Sequence, residues 1–129
     1  MIDFYKAHIR VLMLLFTGLF FFSFGEIHVS YSQQLSGTYT IGATGDYTTF
    51  NAAVSALSTN GVSGPVVFNI ATGTYTEQVS MGTISGATTT NTITFQSQSG
   101  NAGDVEIRYG STSTSIFTVR LEAASHLRF

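Results

Sequence analysis

The chain has 129 residues, no Cys, seven Asp and Glu against five Lys and Arg, and a formal net charge of −2. That length holds at most one small domain. The charge excludes a basic nucleic-acid footprint, and the missing Cys exclude both disulfide staples and a lipoprotein-type lipid anchor.

Residues 1–10 carry Lys6 and Arg10, and residues 11–24, Val-Leu-Met-Leu-Leu-Phe-Thr-Gly-Leu-Phe-Phe-Phe-Ser-Phe, carry no charge. A basic start followed by an apolar run of this length predicts a signal peptide. The run is shorter than the roughly 20 apolar residues that span a bilayer. Ser30 and Ser32 flank Tyr31 and offer a cleavage site before Gln33. Residues 1–32 are therefore expected to be a signal peptide, with an uncleaved anchor as the other reading. After cleavage the chain is expected to be secreted, extracellular or on the cell surface, with no membrane association. It keeps Asp46, Glu77, Asp104, Glu106 and Glu122 against Arg108, Arg120 and Arg128, and holds no Lys.

From Gln33 onward Ser, Thr, Gly and Asn dominate. A disordered stalk is one reading of such composition. Short apolar clusters argue for strands instead: Tyr39–Ile41, Val66–Ile70, Val79–Met81, Ile93–Phe95, Val105–Ile107, Ile116–Val119 and Leu127–Phe129. Most alternate apolar with polar residues and are rich in β-branched and aromatic types. The segment from Asp46 to Leu57 breaks the pattern. Phe50, Ala53, Val54 and Leu57 share one face of a short helix. Thr48 or Thr49 can cap its start, and Asn60-Gly61 can end it. Gly64-Pro65 is expected to separate the helix from the strand at Val66.

The clusters recur at similar intervals. Val66, Ile93 and Phe117 form one series, and Val79, Val105 and Leu127 another, with periods in the low to middle twenties. Such a period predicts a coil wound over itself, in which each turn buries one apolar column. A β-sandwich would also supply short strands, but gives no reason for a shared period. The leading helix would cover the open apolar end.

The run Gly-Asp-Tyr-Thr-Thr-Phe-Asn-Ala-Ala-Val (45–54), then Val-Val-Phe-Asn-Ile (66–70), Gly-Thr-Tyr-Thr-Glu (73–77) and Thr-Ile-Thr-Phe (92–95), resembles the start of a pectin lyase-like right-handed parallel β-helix. The pattern is similar to the opening of pectin methylesterases, and to that of large secreted or cell-surface bacterial proteins carrying such helices, which often end in a sorting domain. The resemblance covers residues 37–129. It implies an all-β fold: a right-handed single-stranded parallel β-helix, truncated at about two to three coils, with a short N-terminal capping helix. Residues 33–129 would be the cap and first coils, incomplete at the C-terminus. In that fold Gly73 would serve a tight turn, Tyr75 would lie over the helix end with its hydroxyl wet, and Glu77 would start the next strand facing outward.

Chemistry is sparse. Asp104 and Glu106, two residues apart on a strand, would project from one face and could hold Ca²⁺ or act as acid and base. Arg108 would continue that face and partly neutralise them, which makes a polar outer surface the plainer reading. Glu77 stands alone in sequence, and His126 has no partner at zinc-ligand spacing. The loop Gly42–Gly45 lacks the Gly-Lys-Ser/Thr ending of a phosphate loop and reads as a turn. Tyr39, Tyr47, Tyr75 and Tyr109 could stack on sugar rings, or belong to the cap and rungs. No catalytic, cofactor-binding or metal-binding residue is assigned, and no cofactor. The catalytic carboxylates, Gln and Arg of pectin methylesterases lie on later rungs, and nothing in this chain matches them. The expected function is a non-catalytic segment of a secreted or cell-surface protein, structural, adhesive or glycan-binding, with polysaccharide or cell-surface glycan as partner. The alternative is the start of a polysaccharide-acting esterase or lyase whose active site lies beyond residue 129. Expressed alone, such a fragment is expected to be marginal or to aggregate through its last rung.

Overall fold

The computed structural model describes residues 33–110, 114 and 116–129. The expected signal segment, residues 1–32, lies outside them. Eight strands and one α-helix follow in the order β1 (Leu35–Ile41), α1 (Phe50–Asn60), β2 (Val62–Ile70), β3 (Gly73–Thr76), β4 (Val79–Met81), β5 (Ile93–Ser97), β6 (Val105–Arg108), β7 (Val119–Leu121) and β8 (Leu127–Arg128). The described residues are thus strand-rich, with one α-helix.

All strand pairs are parallel. One sheet has the order β1-β2-β5-β8, a second pairs β3 with β6, and a third pairs β4 with β7. From β2 onward the chain visits the three sheets in strict rotation and then returns to the first. Parallel neighbours need a long crossover, and here each crossover is the passage through the other two sheets. Between β1 and β2 the crossover is α1.

The inner strands β2, β4 and β5 bury alternate residues. β2 shows the period: Val66, Phe68 and Ile70 are buried, while Val67 and Asn69 are half-buried on the other face. Register stacks like on like, Val66 beside Ile93 and Phe68 beside both Tyr39 and Phe95. The rings of Phe68 and Phe95 lie 4.9 Å apart at 17°, and those of Phe95 and Phe129 5.5 Å apart at 11°. Phe50, Ala53, Val54 and Leu57 of α1 join this core as their spacing predicts, and the helix packs on β4 and β1.

Four expectations need correction. The first concerns the period. Val66 does pair with Ile93, but Ile93 pairs with Leu127 rather than Phe117. Val79 pairs with Val119, and Val105 with Gly73. There are three sheets per winding, and the interval grows from 27 residues (Val66 to Ile93) to 34 (Ile93 to Leu127) and 40 (Val79 to Val119). Pairing holds the strands in register, but the surface turns between them accept insertions freely. The second concerns Pro65, which lies inside β2 rather than before it. It coincides with a register shift: Leu35 and Gly37 of β1 face Val62 and Val66. A bulge tolerates a residue without an N–H. The third is that Gly73-Thr-Tyr-Thr76 forms a strand, with Glu77 after its end. The Thr-Tyr-Thr alternation outweighs the glycine, which sits at φ 159°. The fourth is that Ile116 and Phe117 precede β7.

Candidate functional site

The carboxylates can be followed one at a time. Glu77 does not face water alone. Its Oε1 accepts from the Phe50 N–H at 3.0 Å, and its Oε2 from the Asn51 N–H and the Asn51 Nδ2, both at 2.9 Å. The Thr49 hydroxyl accepts from the Ala52 N–H at 3.1 Å. The first three N–H groups of α1, which have no partner inside a helix, are thereby all satisfied. The negative charge also meets the positive end of the helix dipole. This role was invisible along the chain because donor and acceptor lie 26 and 27 residues apart. The one available clue was the Thr-Thr-Phe start, which leaves two amides unclaimed by a single cap.

Asp104 and Glu106 are not brought together. Asp104 closes a single 3-10 turn, Ala102–Asp104, and only Val105 begins the strand. Its carboxylate turns back to its own loop, accepting from Ser99 Oγ at 2.6 Å and Asn101 Nδ2 at 3.0 Å. Glu106 accepts instead from Thr74 Oγ1 at 3.2 Å and pairs with Arg108 at 3.0 Å. Among the described residues no three His, Asp or Glu side chains converge as a metal site would require. His126 precedes β8 in a left-handed turn, φ 60°, with its carbonyl taken by the Ile93 N–H.

The Gly42–Gly45 loop is a closed turn. Gly45 N–H bonds Gly42 O at 3.0 Å, and Gly42 N–H bonds Tyr47 O at 2.9 Å. Asp46 Oδ2 accepts from the Thr40 N–H and the Thr40 hydroxyl, both at 2.8 Å. Those bonds, the hydroxyl's first and the amide's second, hold its carboxyl below the ordinary value of 3.8. Tyr39, Tyr47 and Tyr75 pack against the core rather than form a platform, while Tyr109 is exposed. Tyr47 meets Tyr39 and Phe68, each at 5.8 Å. Tyr75 stands edge-on to Phe50 at 5.0 Å, and its hydroxyl donates to Ala71 O at 2.8 Å rather than to water. Burial first, then the Glu77 charge, raises the Tyr75 hydroxyl above its ordinary value.

Two surfaces remain with binding character. On the outer face of the four-stranded sheet, Thr40, Asn69 and Gln96 stand in one row and Thr38, Val67, Thr94 and Arg128 in the next. Gln96 Nε2 donates to Asn69 Oδ1 at 2.9 Å, so the first row is tied along the stack. At the C-terminal end, an open groove of about 730 Å³ runs between β5 and β6, walled by Phe50, Phe95, Val105, Ile107 and Phe129. Its rim is the polar loop from Gln96 to Gly100. No helix among the described residues is long and apolar enough to cross a membrane. Comparison with protein-family models, with curated proteins and with solved structures found no match.

Proposed function

We propose that residues 33–129 are the capped N-terminal windings of a secreted or cell-surface right-handed parallel β-helix, with a structural, adhesive or glycan-binding role and no catalysis of its own. The observation that supports this reading is the rotation of the chain through three parallel sheets, each return stacking in register on the strand before it. A coil is the simplest path with that order, and α1 with its Glu77 cap covers the first end of the column. The carboxylates favour structure over chemistry, because Glu77 and Asp104 are committed to a helix start and a turn. The hydrogen-bonded amide pair Asn69–Gln96 on the outer sheet face suits the hydroxyls of an extended polysaccharide, since amides both donate and accept.

A polysaccharide array tests the ligand class. Retention on at least one neutral polysaccharide is expected, with loss in an Asn69→Ala/Gln96→Ala double variant whose melt is unchanged. Silence across the array would remove the glycan role while leaving the structural one. An experimental structure reads the winding sense directly, and a left-handed coil or facing antiparallel sheets would end the fold proposal.

A further inference from the structure

The joint between α1 and β2 carries a chemistry that the fold holds in check. Asn60 is the last residue of α1 and Gly61 follows it. No other Asn of the sequence precedes a glycine. In an open chain this dipeptide rearranges by itself, because a glycine has no side chain to shield its backbone nitrogen. The Gly61 nitrogen attacks the Asn60 side-chain carbonyl carbon. The new C–N bond closes an imide ring, and the side-chain amide nitrogen leaves as ammonia, taking the Gly61 proton. Water then opens the imide at either carbonyl. One product is Asp. The other is an isoaspartyl linkage, in which the backbone runs through the former side chain and is one carbon longer.

The fold withholds what that attack needs, a free nitrogen and a joint that can turn. The Gly61 N–H donates to the Leu57 carbonyl at 2.8 Å, the closing bond of the helix. The Gly61 carbonyl accepts from the Leu35 N–H at 2.9 Å, and the next amide, Val62 N–H, donates to the Ser85 carbonyl at 2.8 Å. One joint is thus pinned by the last turn of α1, the start of β1 and the loop between β4 and β5. Leu35, Leu57 and Val62 are buried, so swinging the joint open uncovers core. The glycine cannot be exchanged for a safer residue. It sits at φ 68°, the left-handed helix end that favours glycine, and a Cβ there would collide with the Ser85 carbonyl. We propose that Asn60-Gly61 is a self-modification site gated by the cap. It stays intact while α1 is docked and converts when α1 comes away. As isoaspartate it no longer fits, because the longer backbone must give up the bond to Leu57 or the bond to Leu35. An opened cap is then recorded permanently, whatever ligand the outer sheet face takes.

The purified full chain, its fold checked by circular dichroism, is incubated in mildly alkaline buffer with and without guanidinium chloride. Peptide mass mapping and an isoaspartyl methyltransferase assay follow residue 60. Conversion is expected to be roughly tenfold slower or more without denaturant, since a pinned joint reacts only through its open fraction. Glu77→Ala, which loosens the other end of α1, is expected to convert faster than wild type in buffer alone. After the denaturant is removed, chains carrying isoaspartate are expected to melt lower than unconverted ones. Asn60→Ser cannot form the imide and is expected to regain its own starting melt after the same treatment. Equal rates with and without denaturant overturn the proposal. So does a Glu77→Ala rate no higher than that of wild type, which would make fraying of the last turn, rather than undocking of α1, the opening step. Isoaspartyl chains that regain the wild-type melt overturn it as well.

Discussion

Asp46 and Thr40 share three hydrogen bonds: Thr40 donates twice to the Asp46 Oδ2, through its N–H and its hydroxyl, and the Asp46 N–H donates to the Thr40 hydroxyl at 2.9 Å. A carboxyl held below its ordinary value stabilises the fold above the unfolded value of 3.8, and that contribution disappears as pH falls through the lower folded value. Asp46→Asn is therefore expected to melt lower than wild type at pH 7, with the gap closing as the pH drops below 3.8; thermal scans across pH check this. Two glycines test backbone strain against space. Both Gly86 (φ 82°) and Gly100 (φ 79°) are left-handed, but a Cβ on Gly86 would collide with the Val62 carbonyl oxygen, while one on Gly100 would meet nothing. Urea melts are expected to show Gly100→Ala losing about 1 kcal/mol and Gly86→Ala about 3 kcal/mol or more. In sequence the two glycines look alike, since each follows a Ser in a polar stretch. The collision at Gly86 depends on a strand 24 residues earlier, at Val62.

Helix α1 was legible in outline. Its apolar face, a threonine cap at position 48 or 49 and an end at Asn60-Gly61 follow from spacing and residue type; the structure has that face, uses Thr49 as the cap and ends the helix at Gly61. Its second cap was not legible, because Glu77 arrives from the turn between β3 and β4. Removing that carboxylate with Glu77→Ala is expected to cost about 1–3 kcal/mol, the range for hydrogen bonds to a charged group and for a lost helix cap. Glu77→Gln keeps an acceptor and is expected to lose less. Denaturant melts followed at 222 nm check both, and equal losses in the two variants would mean that charge alone matters. The strands divide in the same way. Alternation exposes β2 and β5 in sequence, whereas β3 hides behind a glycine and β7 starts after the apolar pair that announces it.

Apolar side chains join the stacked parallel strands. Tyr39, Phe68, Phe95 and Phe129 form successive ring contacts among them, and Phe68 is fully buried. Phe68→Ala should cost about 3–5 kcal/mol, since the neighbouring strands are pinned by hydrogen bonds and cannot collapse into the void. Near- and far-ultraviolet circular dichroism are expected to report one shared, lowered transition. A change confined to the near ultraviolet would mean the windings melt separately. Composition, charge and local periodicity were enough to establish a strand-rich chain opened by one amphipathic helix, because alternation and a helical face are properties of neighbouring residues. Folding in three dimensions settled which strands pair, into how many parallel sheets they divide and where Glu77 goes. Those outcomes depend on turn lengths and on contacts across tens of residues, and a parallel stack constrains its strands while leaving its turns free to vary.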